Sequence, residues 1–565
     1  LEGGIPLQAV FTVLQEFLSV ILYGIRIIIP LISVMIVISC FTSLRRGRRR
    51  EDPVILLEDM VAHRAIPVLY WENSLGRSKS CDIVLNDMTA SRSHAVLMRR
   101  ESGWFVTDTD SKAGTFVNGK KIGEPTPVYP GDTIAMGSSA LMLKPTGAGS
   151  AERPVRRVRR VASPFRLMFS VTLVQLLLCV LACFSGNKFH VGPFEVFGGL
   201  FVLEWALYLF SMKGLGRVTF ELETMAFLLS GIGLMLIGAS SVKTAWVQLA
   251  AAALGVVLFC VMIWFLTDLD RVMKFRIPIG AFAVLLFAAN LLLAHERNGA
   301  KNWISIGGIG VQPSEFIKIA FIFVGASTLD RLQTARNLTG FIGFSALCMG
   351  ALFLMRDFGT ACIFFVTFLI IAFMRSGSVR TIALVCAVAV FGAFLIVKFK
   401  PYVAQRFSAW RHVWQYVNDS GGYQQTRVMS YSASGGLFGV GPGNGYVEKV
   451  FAGNSDLVFG MLCEELGLLV ALVVLIAIAL LMFYARSDAT RSRSTFYSIS
   501  ACAAAGMILF QSCLNVFGVT DVLPMTGVTL PFISAGGSSM VAVWGLLAFI
   551  KASDERTYAA RRHGR

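Results

Sequence analysis

The run GLLVALVVLIAIALLMF, residues 467–483, holds seventeen positions without a charge, and Arg486 follows it closely. A helix needs about 20 mainly apolar residues to cross a bilayer, so this run, with the residues before it, predicts a span over 458–484. Working outward, runs of the same kind predict eleven more, near 166–186, 194–212, 224–240, 245–266, 277–294, 313–329, 339–355, 358–374, 380–397, 496–518 and 528–550. The composition agrees. Apolar residues make up 55% of the 565 and charged residues 15%, against about 25% charged in a soluble domain. An ordinary cytosolic enzyme is excluded, and so much hydrocarbon excludes intrinsic disorder. The chain reads as a polytopic α-helical membrane protein of about twelve spans plus an N-terminal anchor helix.

The net charge of +17 sits in short loops between the apolar runs. Lys213, Arg217, Arg271, Arg331, Arg375 and Arg486 fall in alternate loops, as the positive-inside rule expects of cytoplasmic ones. No nucleic-acid partner is implied. Ten of the eleven cysteines lie in apolar runs, Cys81 being the exception, which is no disulfide framework. One loop on the other side breaks the charge rule. Residues 398–457 carry Lys398, Lys400, Arg406, Arg411, Arg427 and Lys449 against Asp419, Glu448 and Asp456. So long a loop is functional or disordered, and its cations call for an anion at the outer membrane face.

Residues 1–50 read as the membrane anchor with its basic stop. Ile27–Phe41 is apolar, and Arg45, Arg46, Arg48, Arg49 and Arg50 come after it, whereas a signal peptide carries its positive charge first. Phe11–Gly24 either extends this helix or lies at the interface. Residues 51–148 are polar, with short strand-like pieces between turns such as Asn118-Gly119 and Pro130-Gly131, the pattern of an all-β sandwich. The linker 149–165 is arginine-rich and suits the anionic inner leaflet. Membrane helices occupy 166–297, a core follows over 298–551, and 552–565 form a basic cytoplasmic tail.

Within the sandwich, Gly76-Arg77, Ser91-Arg92-Ser93-His94 and Asn118-Gly119 occur in that order. The set resembles the forkhead-associated (FHA) domain. The resemblance implies a cytoplasmic module that binds phosphothreonine proteins, the substrates of Ser/Thr kinases. Arg77 and Ser91 match the family's phosphate-contacting positions, Arg92 and Lys112 add charge beside them, and His94 would brace the loop. A phosphate dianion requires such a mix of Arg, hydroxyl and backbone donors. Where the family commonly has Asn, which grips the peptide backbone, before Gly114-Thr115, this chain has Ala113.

The core carries, in order, Gly299-Ala300-Lys301-Asn302-Trp303, Gln312-Pro313-Ser314-Glu315 through Lys318, Asp357-Phe358-Gly359-Thr360, Gly422-Tyr423-Gln424, Ser434 through Gly439, Ser455-Asp456, Glu464-Glu465-Leu466-Gly467, Pro524 through Gly527, and Leu530 through Ser539. The ordered set resembles the SEDS family (shape, elongation, division, sporulation; the FtsW/RodA group). The resemblance implies a peptidoglycan glycosyltransferase of the bacterial plasma membrane that polymerises lipid II at the outer face. It implies a class B penicillin-binding transpeptidase as partner and a divalent cation, Mg or Mn, as cofactor. No ligand cluster for that cation stands out, and its site is unknown from the sequence.

Asp456 matches the family's essential carboxylate and would take the proton of the attacking sugar hydroxyl. Arg406, Arg411, Arg427 and Lys449 are candidates for the lipid diphosphate, with Tyr423 and Trp303 as further substrate contacts; Trp303 equally fits an interfacial belt. Glu315 and Lys318, at i and i+3 on one span, either line a substrate cavity or hold helices together as an ion pair. Two departures stand out. Asn454-Ser455 replaces the family's His-Thr, and five spans rather than three precede the tryptophan loop. The same features would also serve a lipid II flippase, or a catalytically weak scaffold recruited through its FHA module.

Overall fold

The computed structural model describes residues 7–554 apart from 47–54, 69, 79–80, 101–102, 146–161, 186–188, 216, 218, 298–299, 307–308, 329–334, 377–378, 381, 388–389, 391–397, 399–408, 419–421 and 490–493. Arg406, most of the basic linker, most of the span read over 380–397 and the tail from 555 onward lie outside the described residues. The described helices are α1 (Leu7–Arg46), α2 (Pro164–Cys183), α3 (Gly192–Leu209), α4 (Glu221–Ser240), α5 (Val242–Leu266), α6 (Leu269–Leu293), α7 (Pro313–Thr328), α8 (Ala335–Leu354), α9 (Phe358–Ser376), α10 (Tyr423–Ser434), α11 (Val458–Glu465), α12 (Gly467–Ala489), α13 (Thr495–Val519) and α14 (Gly537–Ser553). Among the described residues nine helices are long and apolar enough to cross a membrane, and Thr339–Leu354 and Gly537–Ser553 are shorter apolar helices.

Polar caps start several of them. Ser241 accepts from the Thr244 N–H at the head of α5, Asp268 from Asp270 and Arg271 at the head of α6, and Ser494 from Phe496 at the head of α13. The bundle is centred on α14, which packs on α5, α13 and α7. Its Trp544 is fully buried, ringed by Phe227, Phe259 and Phe532 at 5.0, 5.7 and 6.0 Å. Helix α4 is buried almost throughout, and Gly233 on it lets the backbone of Ile533 approach; a Cβ there would stand 2.5 Å from the Ile533 carbonyl oxygen.

The structure corrects the sequence reading in two places, the spans over 458–484 and 528–550, and completes it in two others. The anchor helix is continuous from Leu7 to Arg46 through Pro30, so Phe11–Gly24 extends it. The span read over 458–484 is two helices, broken where Gly467 takes a φ of +84°. The span read over 528–550 begins only at Gly537, because Pro531 and a left-handed Phe532 (φ +67°) keep 528–536 irregular. The loop between α6 and α7 contains a three-stranded sheet, β12 (His295–Arg297), β13 (Ala300–Ile306) and β14 (Ile309–Val311). Glu204, fully buried on α3, accepts a hydrogen bond from Thr172 at 2.6 Å.

Residues 55–144 form a sandwich of eleven strands: β1 (Ile55–Asp59), β2 (Arg64–Val68), β3 (Glu72–Gly76), β4 (Ile83–Val84), β5 (Ala95–Arg100), β6 (Gly103–Asp108), β7 (Thr115–Val117), β8 (Lys120–Lys121), β9 (Thr126–Val128), β10 (Thr133–Met136) and β11 (Ser139–Lys144). One sheet is ordered β2-β1-β11-β10-β7-β8 and the other β4-β3-β5-β6-β9. Alternate residues point inward, and Leu57, Leu75, Leu97, Val106, Ile134 and Leu141 close a core separate from that of the bundle. Asn118 and Gly119, at φ +49° and +79°, make the tight β7–β8 turn.

The sandwich docks on one end of the bundle. Ser494 donates to Glu72 at 2.9 Å, Arg100 pairs with Asp270 at 2.9 Å, and Trp71 meets the Tyr497 ring edge-on at 6.3 Å. Since α13 starts at this end and its Asn515 touches Asp456, the sandwich and Asp456 occupy opposite ends of the bundle.

Candidate functional site

Asp456 lies in the turn that leads into α11 and is half-buried. The turn is built around Ala452, whose carbonyl accepts from the N–H groups of Ser455, Asp456 and Leu457 and whose φ is +61°. Three successive carbonyls of this turn are then gripped from outside. Asn454 O accepts from the Ala535 N–H at 2.8 Å, Ser455 O from the Ser534 hydroxyl at 2.6 Å, and Asp456 O from the Asn515 amide at 2.8 Å. The carboxylate faces Gly527, where a Cβ would stand 3.4 Å from Oδ2 and where φ is +69°. The clamp uses only the backbone of Asn454 and Ser455, so it is compatible with side chains other than the family's His-Thr.

Asn515 also donates to the Val528 carbonyl at 2.7 Å. One turn earlier on α13, Gln511 donates to the carbonyl of Thr529 and accepts from Lys318 at 2.9 Å. Lys318 pairs with Glu315 at 2.7 Å; the two side chains are 1% and 6% exposed. A chain of contacts thus runs from α7 through α13 to the 520–536 loop and the Asp456 turn. Gln511 and Asn515 were not singled out in the sequence. Their signal was there: two amides four apart, hence on one face of an apolar helix.

The remaining predicted residues lie on elements around this turn. Arg427 covers the Tyr423 ring at 4.9 Å on α10, and Lys449 covers Tyr446 at 4.6 Å. Gln424 and Gln425 tie α10 to Phe451 O and Gly518 O, at 3.2 and 2.7 Å. Burial pushes the Glu448 carboxyl up, against the opposing charge of Lys449. Arg411 is exposed, stacks on Trp410 at 5.2 Å and donates its N–H to Asp521 at 3.2 Å. Trp303 is half-buried on β13, with Gly310 against its ring. That sheet is held by Asp357, which accepts from Asn302 at 3.0 Å and Gln312 at 3.2 Å. No group of three His, Cys, Asp or Glu able to hold a metal occurs among the described residues.

At the other end of the molecule, Arg77, Ser91, Arg92 and Lys112 come together on adjoining loops. Arg77 N–H donates to Ser91 O and Ser78 N–H to Arg92 O, both at 3.0 Å, and Lys112 N–H donates to the Ser91 hydroxyl at 3.0 Å. His94 is fully buried beneath them; its Nδ1 accepts from the Ser91 N–H and its Nε2 meets Gly114 O at 3.1 Å. Hydrogen bonds from the Thr89 hydroxyl and N–H, joined by those from Ser138, hold the Asp87 carboxyl far below the usual carboxylate range. These loops follow the C-terminal end of β3, whereas its first residue, Glu72, meets the bundle.

The family model described as "Cell cycle protein" for FtsW, RodA and SpoVE matches residues 222–558, more than half of the chain. The chain belongs to the FtsW/RodA/SpoVE family. Residues 73–137 match the FHA domain model. The family match begins at α4, so α1, α2 and α3 precede it. The chain is 32% identical over 271 residues to the probable peptidoglycan glycosyltransferase FtsW of Coxiella burnetii, covering 46% of this chain and 72% of the relative. It is 26% identical over 352 residues to the peptidoglycan glycosyltransferase RodA of Mycobacterium tuberculosis, covering 57% and 75%. A chain from a structure titled for polymerization and crosslinking by a peptidoglycan synthase complex superposes with a TM-score of 0.51, at 22% identity, over 61% of this chain and 98% of that one. That likeness shows the shared fold, and with the apolar helices it makes this a multi-pass membrane protein.

Proposed function

We propose that this FtsW/RodA-family protein is a peptidoglycan glycosyltransferase that polymerises lipid II at the outer face of the bacterial membrane, with its FHA module in the cytoplasm reading phosphothreonine. The observation that carries the reading is the gripped turn: Asn454, Ser455 and Asp456 each have their carbonyl held, which leaves the Asp456 side chain as the oriented group. The relatives named as peptidoglycan glycosyltransferases supply the reaction class.

In the reaction, the acceptor sugar hydroxyl forms a bond to the anomeric carbon of the donor. The bond from that carbon to the lipid diphosphate breaks, and the diphosphate leaves with the electron pair. Asp456 accepts the hydroxyl proton. Arg411, Arg427 and Lys449 supply positive charge on the elements around it; cations preorganised where charge develops stabilise the transition state. Mg-type ions bind through one or two carboxylates plus substrate phosphates. The described residues hold no group of three carboxylate, imidazole or thiolate ligands, so a divalent cation would be held mainly by the substrate's own phosphate oxygens. Such a cation would neutralise the departing group. The basic sandwich loops accept a phosphothreonine protein, and a class B penicillin-binding transpeptidase is the partner for crosslinking.

The test is polymerisation of labelled lipid II by the purified full chain in detergent, with and without Mg or Mn, for wild type and Asp456→Asn. Polymer from wild type alone supports the reading. No polymer from wild type under any condition favours a flippase, which has no product without a membrane, or a scaffold.

A further inference from the structure

The helix α1 lies outside the residues that the family model matches, yet it packs against α2, α4 and α12 as part of the bundle. Midway along it stands Arg26, half-buried within an apolar span that runs from Glu16 to Leu44. A charge in such a span is costly and marks a specific partner. The partner here is backbone. Arg26 Nη1 donates to Gly439 O at 3.1 Å, and a Cβ on Gly441 would stand 2.5 Å from Nη2. Tyr23, one turn earlier, meets Phe438 edge-on at 6.2 Å.

The segment so held is glycine-rich. Gly436, Gly439, Gly441 and Gly443 all have φ between +56° and +100°, so its path is one that other residues rarely adopt. It is laid against the break between α11 and α12. Val440 N–H donates to Glu464 O and Gly441 N–H to Glu465 O, both at 2.9 Å, and Gly443 N–H donates to the Glu465 carboxylate at 2.7 Å. Glu464 in turn accepts from the N–H groups of Tyr446 and Val447 at 2.8 and 2.9 Å. Helix α11 is only eight residues long, about 12 Å. Its far end is the Asp456 turn.

We propose that Arg26 is a positioning residue for glycosyl transfer: by pinning the glycine-rich segment it fixes the C-terminal end of α11 and so the aim of Asp456 at the other end. The added helix thereby becomes part of the active-site frame. This inference rests on the reaction proposed above. Its test compares Arg26→Met, Arg26→Lys and Ser43→Ala in the purified full chain. Ser43 donates to Glu221 at 2.6 Å and fastens the same helix about 25 Å away, so it controls for simple anchoring.

Arg26→Met is expected to lower kcat on lipid II about tenfold, the size of one lost charge-assisted hydrogen bond, with KM within twofold. Arg26→Lys restores part of that rate, and Ser43→Ala leaves kcat unchanged. Hydrogen exchange gives a second readout that needs no turnover: the amides of 439–445 and 455–457 exchange faster in Arg26→Met than in Ser43→Ala. Equal losses in Arg26→Met and Ser43→Ala, or unchanged exchange at 455–457, overturn the proposal. A wild type without polymer overturns the reaction instead, and the exchange comparison still decides whether Arg26 governs the Asp456 turn.

Discussion

Arg77, Ser91, Arg92 and Lys112 come from one stretch of 36 residues, 77–112, whereas the partners around Asp456 range from Glu315 on α7 to Ser534 before α14. The first site is made by loops that neighbouring strands bring together, with His94 pinning two of them. The second is made by helices that cross a whole bundle before their ends meet. The two ends therefore differ in what holds them: short-range backbone hydrogen bonds in the sandwich, and buried amides and an ion pair in the bundle. They are also physically joined, because α13 begins at the Glu72 contact and ends beside Asp456.

A single substitution costs most at the buried ion pair. Lys318→Met leaves Glu315 unpaired at 4% exposure, and truncating one partner of a buried pair costs about 3–5 kcal/mol. Thermal unfolding of the membrane core in detergent is expected to show that loss, with phosphopeptide binding by the sandwich retained. Glu315→Gln combined with Lys318→Met is expected to recover most of it. Recovery of nothing would mean that the pair does more than balance charge.

Next in size is Arg77→Ala. A hydrogen bond to a charged group contributes about 1.5–3 kcal/mol, so affinity for a phosphothreonine peptide is expected to fall roughly 10- to 100-fold. Calorimetry reads it, and polymerisation in detergent should not change. A parallel fall in polymerisation would show that the two ends are coupled along α13. Gly527→Ala sharpens the other end. Its positive φ costs an L-residue about 1–2 kcal/mol, and the new methyl meets the Asp456 carboxylate. Initial rates are expected to fall about tenfold without loss of phosphopeptide binding.

The smallest effect is a pH dependence confined to the sandwich. Asp87 is depressed below its unfolded value of 3.8, so its stabilisation is present above that value and disappears as pH falls through the folded one. Acid unfolding followed by the Trp104 environment should be shallower in Asp87→Asn than in wild type. An identical acid profile would contradict the assigned hydrogen bonds.

These same two regions explain what could be read in the sequence. The sandwich loops were legible because a β-turn, a histidine brace and a run of basic and hydroxyl residues are local patterns; Asn118-Gly119 forms the turn its dipeptide predicts. Apolar runs located most helices for the same reason. The misreadings came where apolar character and helix diverge. Leu466-Gly467 and Leu530 through Ala535 are as apolar as their neighbours, but a left-handed Gly467 and a left-handed Phe532 break the helix. Both breaks make contacts: one receives the glycine-rich segment, the other grips the Asp456 turn. Hydropathy cannot report a φ angle. Nor could it report that Gln511 and Asn515 would face residues 318 and 456, since that depends on how α13 docks rather than on its own sequence. Asp456 itself was singled out by family resemblance; alone, it is an ordinary loop carboxylate before a helix.

The most direct measurement is the initial rate of glycan polymer formation from labelled lipid II by the purified full chain, wild type against Asp456→Asn, with thermal unfolding of the membrane core in detergent as the measure of folded protein. A positioned general base contributes about 10²- to 10⁴-fold, so the variant should lose at least a hundredfold in rate while its membrane core unfolds at the wild-type temperature. Polymer formed at the wild-type rate by Asp456→Asn would contradict the account.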